Sequence, residues 1–289
     1  MSISDYLNTA GGIIWTVVCI PLGIFLSWLA VQVINRVPAK WLCDYGEEPS
    51  EELLSGKRVS FQKEGIITAV IFCIGLVMCR LQFNKGFDVY FITFALIIFF
   101  AVLMAVCDIK YMIIPDQFTI AVGILSAVVS TYDIIRGFKI LHSEWWMPLL
   151  GIAIGGGTMM IIDLIGMLVY KKNGMGFGDV KLFAAVGVLT GFPGTVYTFI
   201  ISLLTATVCF AVIISLSKIR SNQNKAETEM QTENKAETEI ETENEGTAEK
   251  DVSAGSYLAF GPYIAAALIG YIVFFDTIYY LANIYLELF

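Results

Sequence analysis

The chain has 289 residues, of which 57% are hydrophobic and only 15% are charged, and its mean hydropathy is +0.73. Soluble domains are close to half apolar and a quarter charged, so this composition argues against a soluble enzyme and predicts a polytopic membrane protein. The net charge of −8, with no basic stretch, argues against a nucleic-acid-binding protein.

Eight hydrophobic segments follow one another along the chain, most of them long enough to cross a bilayer. Only Pro193 separates the sixth from the seventh, and its flanking glycines Gly191 and Gly194 help to interrupt what would otherwise be one long run. We therefore predict an all-α fold, a polytopic membrane bundle of about eight transmembrane helices. The segments are 12–34, 65–82, 89–107, 117–136, 147–170, 180–192, 194–217 and 257–285.

The basic residues predict which side of the membrane each loop faces. No Lys or Arg precedes Arg36, so the first segment is expected to be a retained span rather than a secretory signal. With the N-terminus outside, the loops assigned to the cytosol hold most of the 18 Lys and Arg residues, as the positive-inside rule requires. The predicted topology is N-out and C-out.

An acidic segment interrupts the hydrophobic pattern before the last span. Within it NKAETEMQTE is followed at once by NKAETEIETE, a tandem duplication that is too polar to form a core and is expected to be disordered in the cytosol. The predicted regions are 1–64, the first span and a short cytosolic loop; 65–218, the core spans; 219–255, the acidic insert; and 256–289, the C-terminal span.

Six cysteines and a single histidine limit the available chemistry. There is no CxxC pair and no HExxH motif, which argues against a zinc site, a disulfide framework and a membrane metalloprotease. His142 lies in a short polar segment far from any serine motif, and we expect it to be a solvated loop residue. Asp133 and Asp276, near the outer ends of spans, are likewise expected to be in contact with water.

Ionisable residues inside or at the ends of spans are costly in a membrane, so they are candidates for function. Asp108 ends the third span and Asp179 opens the sixth, which places both at the predicted cytosolic boundary. Gly174, Gly176 and Gly178 precede Asp179 at alternate positions and allow the chain to approach another helix closely. The alternative is a plain loop in which Asp179 caps the following helix.

Other polar residues near these positions have both structural and functional interpretations. Asp116, after Pro115, is expected to cap the fourth span. Asp163 within the fifth span is either a hydrogen-bonded structural residue or a member of the site. Lys181 is expected to anchor the membrane boundary, with orientation of Asp179 as the alternative. The glycines at 155–157 predict a close helix-packing contact.

Two carboxyl groups held close together share one proton, because both do not ionise readily side by side. The ionised member can take a proton from water while the protonated member polarises a carbonyl, so that water attacks a peptide bond without a metal, a cofactor or a covalent intermediate. Asp108 and Asp179 are the candidate catalytic pair for such a reaction, and the roles of acid and base belong to the pair rather than to either residue.

Four segments, in order along the chain, resemble motifs of the type IV prepilin leader peptidases, which are GxGD-type integral membrane aspartic proteases. GMGFGDVKLFAAVG, which contains Asp179, resembles the GxGD signature, and Asp108 with the following Ile114-Pro115-Asp116 resembles the family's other aspartate motif. FLSWLAVQVINRVP, residues 25–38, is similar to its N-terminal span, and FGPYIA, residues 260–265, to its last-span motif.

The resemblance implies an enzyme that removes the leader from prepilins or pseudopilins at the cytosolic face of a bacterial cell membrane, with Asp108 and Asp179 as catalytic residues and no cofactor for peptidase activity. Its partners would be these substrates and membrane lipids. Many members also N-methylate the product with S-adenosylmethionine and bind zinc through four cysteines in the first cytosolic loop. Here only Cys43 lies in that loop, residues 35–64, which rules out the four-cysteine site within one chain and leaves methylation open.

Two alternatives remain. The first is a presenilin-like GxGD protease that cuts within the membrane span of its substrate. The second is a non-catalytic transporter or assembly scaffold in which Asp108, Asp163 and Asp179 are ion or proton sites, and this alternative predicts an inverted repeat between the two halves of the chain.

Overall fold

The computed structural model describes residues 10–43, 48–49, 51–54, 58–82, 89–170, 176–235 and 259–274, and every regular element among them is a helix. Contacts divide the chain into two compact units, one comprising Met1–Ser202 and Ala259–Phe289, and the other Leu203–Leu258. A 3-10 turn, Ala39–Leu42, follows the first α-helix, and a π-helical turn, Phe61–Gly65, leads directly into the α-helix that begins at Ile66. The α-helices are α1 (Ala10–Arg36), α2 (Glu51–Leu54), α3 (Ile66–Gln82), α4 (Val89–Tyr111), α5 (Asp116–Arg136), α6 (Met147–Tyr170), α7 (Phe177–Lys235) and α8 (Gly261–Val273).

Six helical segments in the described ranges are long and apolar enough to cross a membrane, which confirms the predicted all-α, polytopic fold class. A shorter apolar helix, Gly261–Val273, lies in the last predicted span. The number of eight spans and the N-out, C-out topology stay predictions. The six segments are Val17–Arg36, Phe61–Arg80, Val89–Tyr111, Asp116–Arg136, Met147–Val169 and Phe177–Ser215.

The sixth and seventh predicted segments lie on α7, and the interruption predicted between them is present. Gly191 has φ 63° and ψ −173°, which is a non-helical conformation inside the helix. Glycine adopts positive φ without the clash that a Cβ atom would cause, and Pro193 follows without a backbone N–H. The chain therefore bends at this point without ending the membrane-spanning run.

Helix α4 forms the centre of the first unit. It packs against α3, α5 and α8, and 61% of its span is buried, compared with 11% for α6. The sequence from Val89 to Cys107 carries no charged residue, so the helix has no polar face to turn toward water, and most of it is buried. Asp108, in the last turn of α4, is thereby placed at the end of the most buried span.

Glycines allow α6 and α7 to approach each other closely. A Cβ atom on Gly151 would collide with the carbonyl oxygen of Gly187, and a Cβ on Gly187 would collide with that of Gly151. A Cβ on Gly155 would lie 2.5 Å from the carbonyl oxygen of Phe183. The predicted packing contact at residues 155–157 is confirmed for Gly155, whereas a Cβ on Gly157 would have no neighbour within 4 Å.

The prediction that Asp133 contacts water was wrong, because this residue is 0% exposed. Its carboxylate accepts hydrogen bonds from the Tyr90 hydroxyl at 2.6 Å and from the backbone N–H groups of Ile140, Leu141 and His142 at 3.0–3.2 Å. The loop between α5 and α6 folds back over the end of α5, and its buried backbone donors require an acceptor. Asp276 lies outside the described residues.

The prediction that His142 is solvated was also wrong, since only 2% of the residue is exposed. Its Nε2 lies 3.0 Å from the Ser130 hydroxyl, which also donates to the Val188 carbonyl. Burial lowers the pKa of His142 to about 4, so the imidazole is neutral at physiological pH. The Asp133 carboxylate also accepts the backbone N–H of His142 at 3.2 Å.

The second unit, Leu203–Leu258, contains the residues of α7 from Leu203 onward. This helix continues through residues 219–235, the first part of the predicted acidic insert, and residues 236–258 lie outside the described ranges. The predicted region boundaries stay predictions.

Candidate active site

Asp108 and Asp179, the two predicted catalytic residues, lie in the same unit and are both buried, with 5% and 7% of their surfaces exposed. They are near enough for the charge of Asp108 to act on Asp179. Helix α7 begins at Phe177, so Asp179 lies in its first turn and is not its cap, and its N–H donates to the Gly176 carbonyl at 3.0 Å. The structure thus brings together two carboxyl groups from separate helices.

The two carboxyl groups have different hydrogen-bond environments. Oδ2 of Asp108 accepts the backbone N–H of Gly261, the first residue of α8, at 2.9 Å. Oδ1 of Asp179 is buried and has no hydrogen-bond partner among the described residues. Buried carboxylate oxygens are nearly always paired, so this oxygen is an acceptor available to a reacting group. The arrangement can hold the Asp108 carboxyl group in place while the Asp179 carboxyl group accepts or donates a proton.

Two glycines permit the close approach of the segments that carry or hold the aspartates. A Cβ atom on Gly261 would lie 2.7 Å from Oδ2 of Asp108 and 2.8 Å from Cδ1 of Ile114. A Cβ on Gly178 would lie 3.2 Å from Cβ of Ile114. The sequence predicted a close approach at the Asp179 loop, and the structure identifies Ile114 as the neighbour. Gly174 lies outside the described residues.

Asp116 is the first residue of α5 and does not cap it, since the N-cap is Pro115 and makes no side-chain capping bond. Both carboxylate oxygens of Asp116 lie 2.8 Å from Nζ of Lys181, which is also 4.9 Å from the centre of the Phe177 ring. This ion pair connects the start of α5 to the start of α7, two residues after Asp179. Neither interpretation of Lys181 from the sequence identified this partner.

A network that the sequence analysis missed ties the first loop to the end of α1. Oδ1 of Asn35 accepts the backbone N–H groups of Arg58 and Val59, each at 2.9 Å, and its Nδ2 donates to the Val59 carbonyl at 3.0 Å. The Arg58 guanidinium donates to the carbonyls of Ile34 and Val37 at the C-terminal end of α1. The available signal was Asn35 itself, since it lies inside the 25–38 motif.

The same loop also reaches the end of α4 that carries Asp108. Nζ of Lys110 lies 2.7 Å from Oε1 of Glu64 and donates to the Arg58 carbonyl at 2.8 Å. Arg58 is near enough to act electrostatically on Cys107, the neighbour of Asp108. Arg58 and Glu64 are therefore held beside the end of α4 that carries Asp108.

In the part of the chain that the structure describes, no group of three or more His, Cys, Asp or Glu residues is placed to bind a metal ion. All six cysteines are free thiols, and Cys43 alone follows α1 in the first loop. A four-thiolate zinc site does not fit this donor set. Asp163 lies half-buried on α6, and its membership of the site stays a prediction.

Comparison with known proteins supports the motif-based resemblance. Three relatives carry the name prepilin leader peptidase/N-methyltransferase. The protein from Xanthomonas campestris pv. campestris is 30% identical over 156 residues, which are 53% of this chain and 50% of that protein. The protein from Stutzerimonas stutzeri is 25% identical over 118 residues, which are 41% of this chain and 38% of that protein. The protein from Bacillus subtilis is 27% identical over 173 residues, which are 58% of this chain and 61% of that protein.

The chain thus spans between 38% and 61% of the length of these relatives. No solved structure gives a significant match. The type IV leader peptidase family matches residues 94–211, a range that contains both Asp108 and Asp179. This match confirms the resemblance to the type IV leader peptidase family that the sequence motifs predicted.

Proposed function

We propose that this protein is a membrane aspartic endopeptidase that removes the leader from prepilin-like or pseudopilin substrates at the cytosolic membrane face. The observation that carries the proposal is the placement of Asp108 and Asp179, two buried carboxyl groups at the ends of separate helices. Ile114 lies beside both Gly178, the neighbour of Asp179, and Gly261, whose N–H holds Asp108. Both lie in the range that matches the type IV leader peptidase family, and the relatives' shared name supports a peptidase.

In the proposed reaction one carboxyl group of the pair is ionised and takes a proton from a water molecule, which attacks the scissile carbonyl. The other is protonated and donates a hydrogen bond to the carbonyl oxygen. When the resulting tetrahedral intermediate collapses, the C–N bond breaks and the leaving amine takes the proton that the pair received from water. The Gly261 N–H holds one oxygen of Asp108, while Oδ1 of Asp179 is available to the water or the substrate. Burial keeps bulk water away and strengthens these interactions, and the peptidase step needs no cofactor.

The test is co-expression with a candidate prepilin from the same genome, with cleavage followed as a decrease in substrate mass. Asp108→Asn and Asp179→Asn are each expected to abolish cleavage, because a carboxamide can neither take nor share the proton. Glu48→Gln, which removes an exposed carboxylate from the first loop, is the matched control and should cleave normally. Membrane insertion of each variant is checked by fractionation. Full cleavage by either Asn variant would remove that residue from the catalytic pair.

The same assay separates the alternatives. A presenilin-like protease would be insensitive to substitution of the glycine at the end of the substrate's leader, whereas a leader peptidase would not cleave that substrate. A transporter or scaffold would tolerate both Asp→Asn changes in a secretion or piliation assay. N-methylation with S-adenosylmethionine is a separate activity that the relatives' name assigns to them. Mass spectrometry of the processed N-terminus decides it, since a methylated and an unmodified amine differ in mass.

A further inference from the structure

Ile114 lies beside two backbone segments of the candidate site, at Gly178 and at Gly261. It lies in the short connection between α4, which ends three residues after Asp108, and α5, and it is only 9% exposed. Neither the proposed chemistry nor the ion pair at the start of α5 uses this apolar side chain.

The neighbours of Ile114 show what it separates. The three atoms nearest to a Cβ placed on Gly178 all belong to Ile114, with Cβ at 3.2 Å and Cγ1 and Cδ1 at 3.7 Å. Gly178 is bonded to Asp179. A Cβ placed on Gly261 would lie 2.8 Å from Cδ1 of Ile114, and the N–H of Gly261 is the group that holds Asp108. The Ile114 side chain thus fills the space into which a side chain at either glycine would extend, beside Asp179 on one side and beside the N–H that holds Asp108 on the other.

We propose that Ile114 is a positioning residue that sets the separation of Asp108 and Asp179, an inference that rests on the proposed function. Its β-branched side chain is stiff at χ1, and protein interiors are close-packed, so it acts as a fixed spacer rather than an adaptable filler. A carboxyl pair that shares one water tolerates little displacement, since a misplacement of about 1 Å reduces a rate by about a hundredfold.

The two glycines make a sharp test possible, because their steric partners differ. The three atoms nearest to a methyl group added by Gly178→Ala all belong to Ile114. A methyl group added by Gly261→Ala would lie near Ile114 and also 2.7 Å from Oδ2 of Asp108. Shortening Ile114 should therefore relieve the first substitution but not the second. Purified enzyme in detergent and a prepilin peptide allow kcat and KM to be measured separately.

Ile114→Ala is expected to lower kcat about tenfold to a hundredfold with little change in KM, and Gly178→Ala to do the same. The Ile114→Ala/Gly178→Ala double variant should exceed either single variant in kcat, because the new methyl group refills part of the vacated space. Ile114→Ala/Gly261→Ala should stay as impaired as Gly261→Ala. Ile114→Val, which removes one methyl group, covers the case in which the alanine variant fails to fold. Ile113→Ala, at the half-buried neighbouring position, is the matched control and should keep its kcat.

A second measurement does not depend on activity. Asp108→Cys and Asp179→Cys are introduced into a chain whose six native cysteines are replaced, and the pair is treated with thiol-specific cross-linkers of graded length. With Ile114→Ala, the length that reacts best should change. Two results together would overturn the proposal. The cross-linking would be unchanged by Ile114→Ala, and the fold loss in kcat of the Ile114→Ala/Gly178→Ala variant would equal the product of the two single-variant losses. Absence of cleavage by the unsubstituted chain, with the change in cross-linking retained, would count against the proposed function alone.

Discussion

Nζ of Lys181 lies 2.8 Å from both carboxylate oxygens of Asp116, so an ion pair connects the first residue of α5 to the beginning of α7. Both side chains are about one-third exposed, at 33% and 29%. Solvent screens a pair at this exposure, so its contribution to stability is modest even though its geometry is good. Lys181 lies two residues after Asp179, so the pair joins the helical turn that carries this carboxyl group to the start of α5.

Removal of either partner of this pair is expected to destabilise the protein by less than about 1 kcal/mol. Lys181→Met, Asp116→Asn and the double variant form a cycle whose thermal unfolding in detergent measures the coupling. The charge-reversed variant, Asp116→Lys with Lys181→Asp, should recover part of the lost stability. High salt should reduce the coupling energy of the native pair. Additive effects of the two single substitutions would show that the ion pair contributes nothing.

Asp133 is expected to be among the most sensitive polar positions in the protein. Asp133→Ala leaves the Tyr90 hydroxyl and three backbone N–H groups without their acceptor, which predicts a loss of at least about 3 kcal/mol. Tyr90→Phe removes one hydrogen bond and should cost about 1 kcal/mol. Chemical unfolding in detergent gives both values.

The control for this prediction is substrate cleavage by the folded Tyr90→Phe variant. Tyr90 and Asp108 are 18 residues apart on α4, or about 27 Å along the helix, so Tyr90→Phe should leave kcat unchanged. If Asp133→Ala unfolds at the same temperature as the unsubstituted chain, Asp133 does not hold the loop between α5 and α6.

Acidification is expected to destabilise the protein through His142. Its pKa is about 4 when folded and about 6.5 when exposed, so the unfolded chain binds a proton below about pH 6.5 that the folded chain does not accept. The stability contributed by the buried neutral imidazole is complete above pH 6.5 and decreases toward pH 4, by at most about 1.4 kcal/mol per pH unit.

His142→Gln removes the titrating group while keeping an amide that can reach Ser130. The difference in Tm between this variant and the unsubstituted protein, measured at several pH values from 7 to 4, isolates the contribution of His142 from that of the carboxylates. A difference that stays constant over this range would show that His142 titrates normally in the folded protein.

The contact between α6 and α7 predicts opposite outcomes for glycines on one helix. Gly151→Ala would drive a methyl group into the Gly187 backbone, which has no side chain that could move aside, and should destabilise by about 1–3 kcal/mol. Gly157→Ala, where a Cβ has nothing within 4 Å, should be neutral or slightly stabilising because alanine favours the helix. Comparison of Tm for the two variants tests the packing, and equal effects would mean that the helices do not approach at Gly151.

The sequence by itself determined the class of protein and the pair of carboxyl groups to examine. Hydropathy is a local property of the chain, so the apolar segments and the interruption near Pro193 could be read directly, and the structure has helices there and a non-helical Gly191. Charged residues are rare in such segments, which made Asp108 and Asp179 conspicuous. Short motifs around them carried the resemblance that residues 94–211 confirm.

Only the tertiary structure decided which groups meet. Asp108 and Gly261 are 153 positions apart and Asp116 and Lys181 are 65 apart, and no local pattern specifies which helix ends pack together. Because local sequence does not specify which segments pack together, the predictions for Asp133 and His142, that these polar residues contact water, were wrong. Polarity predicts exposure only where no other segment folds over the residue, and here the backbone donors of a loop needed a buried acceptor.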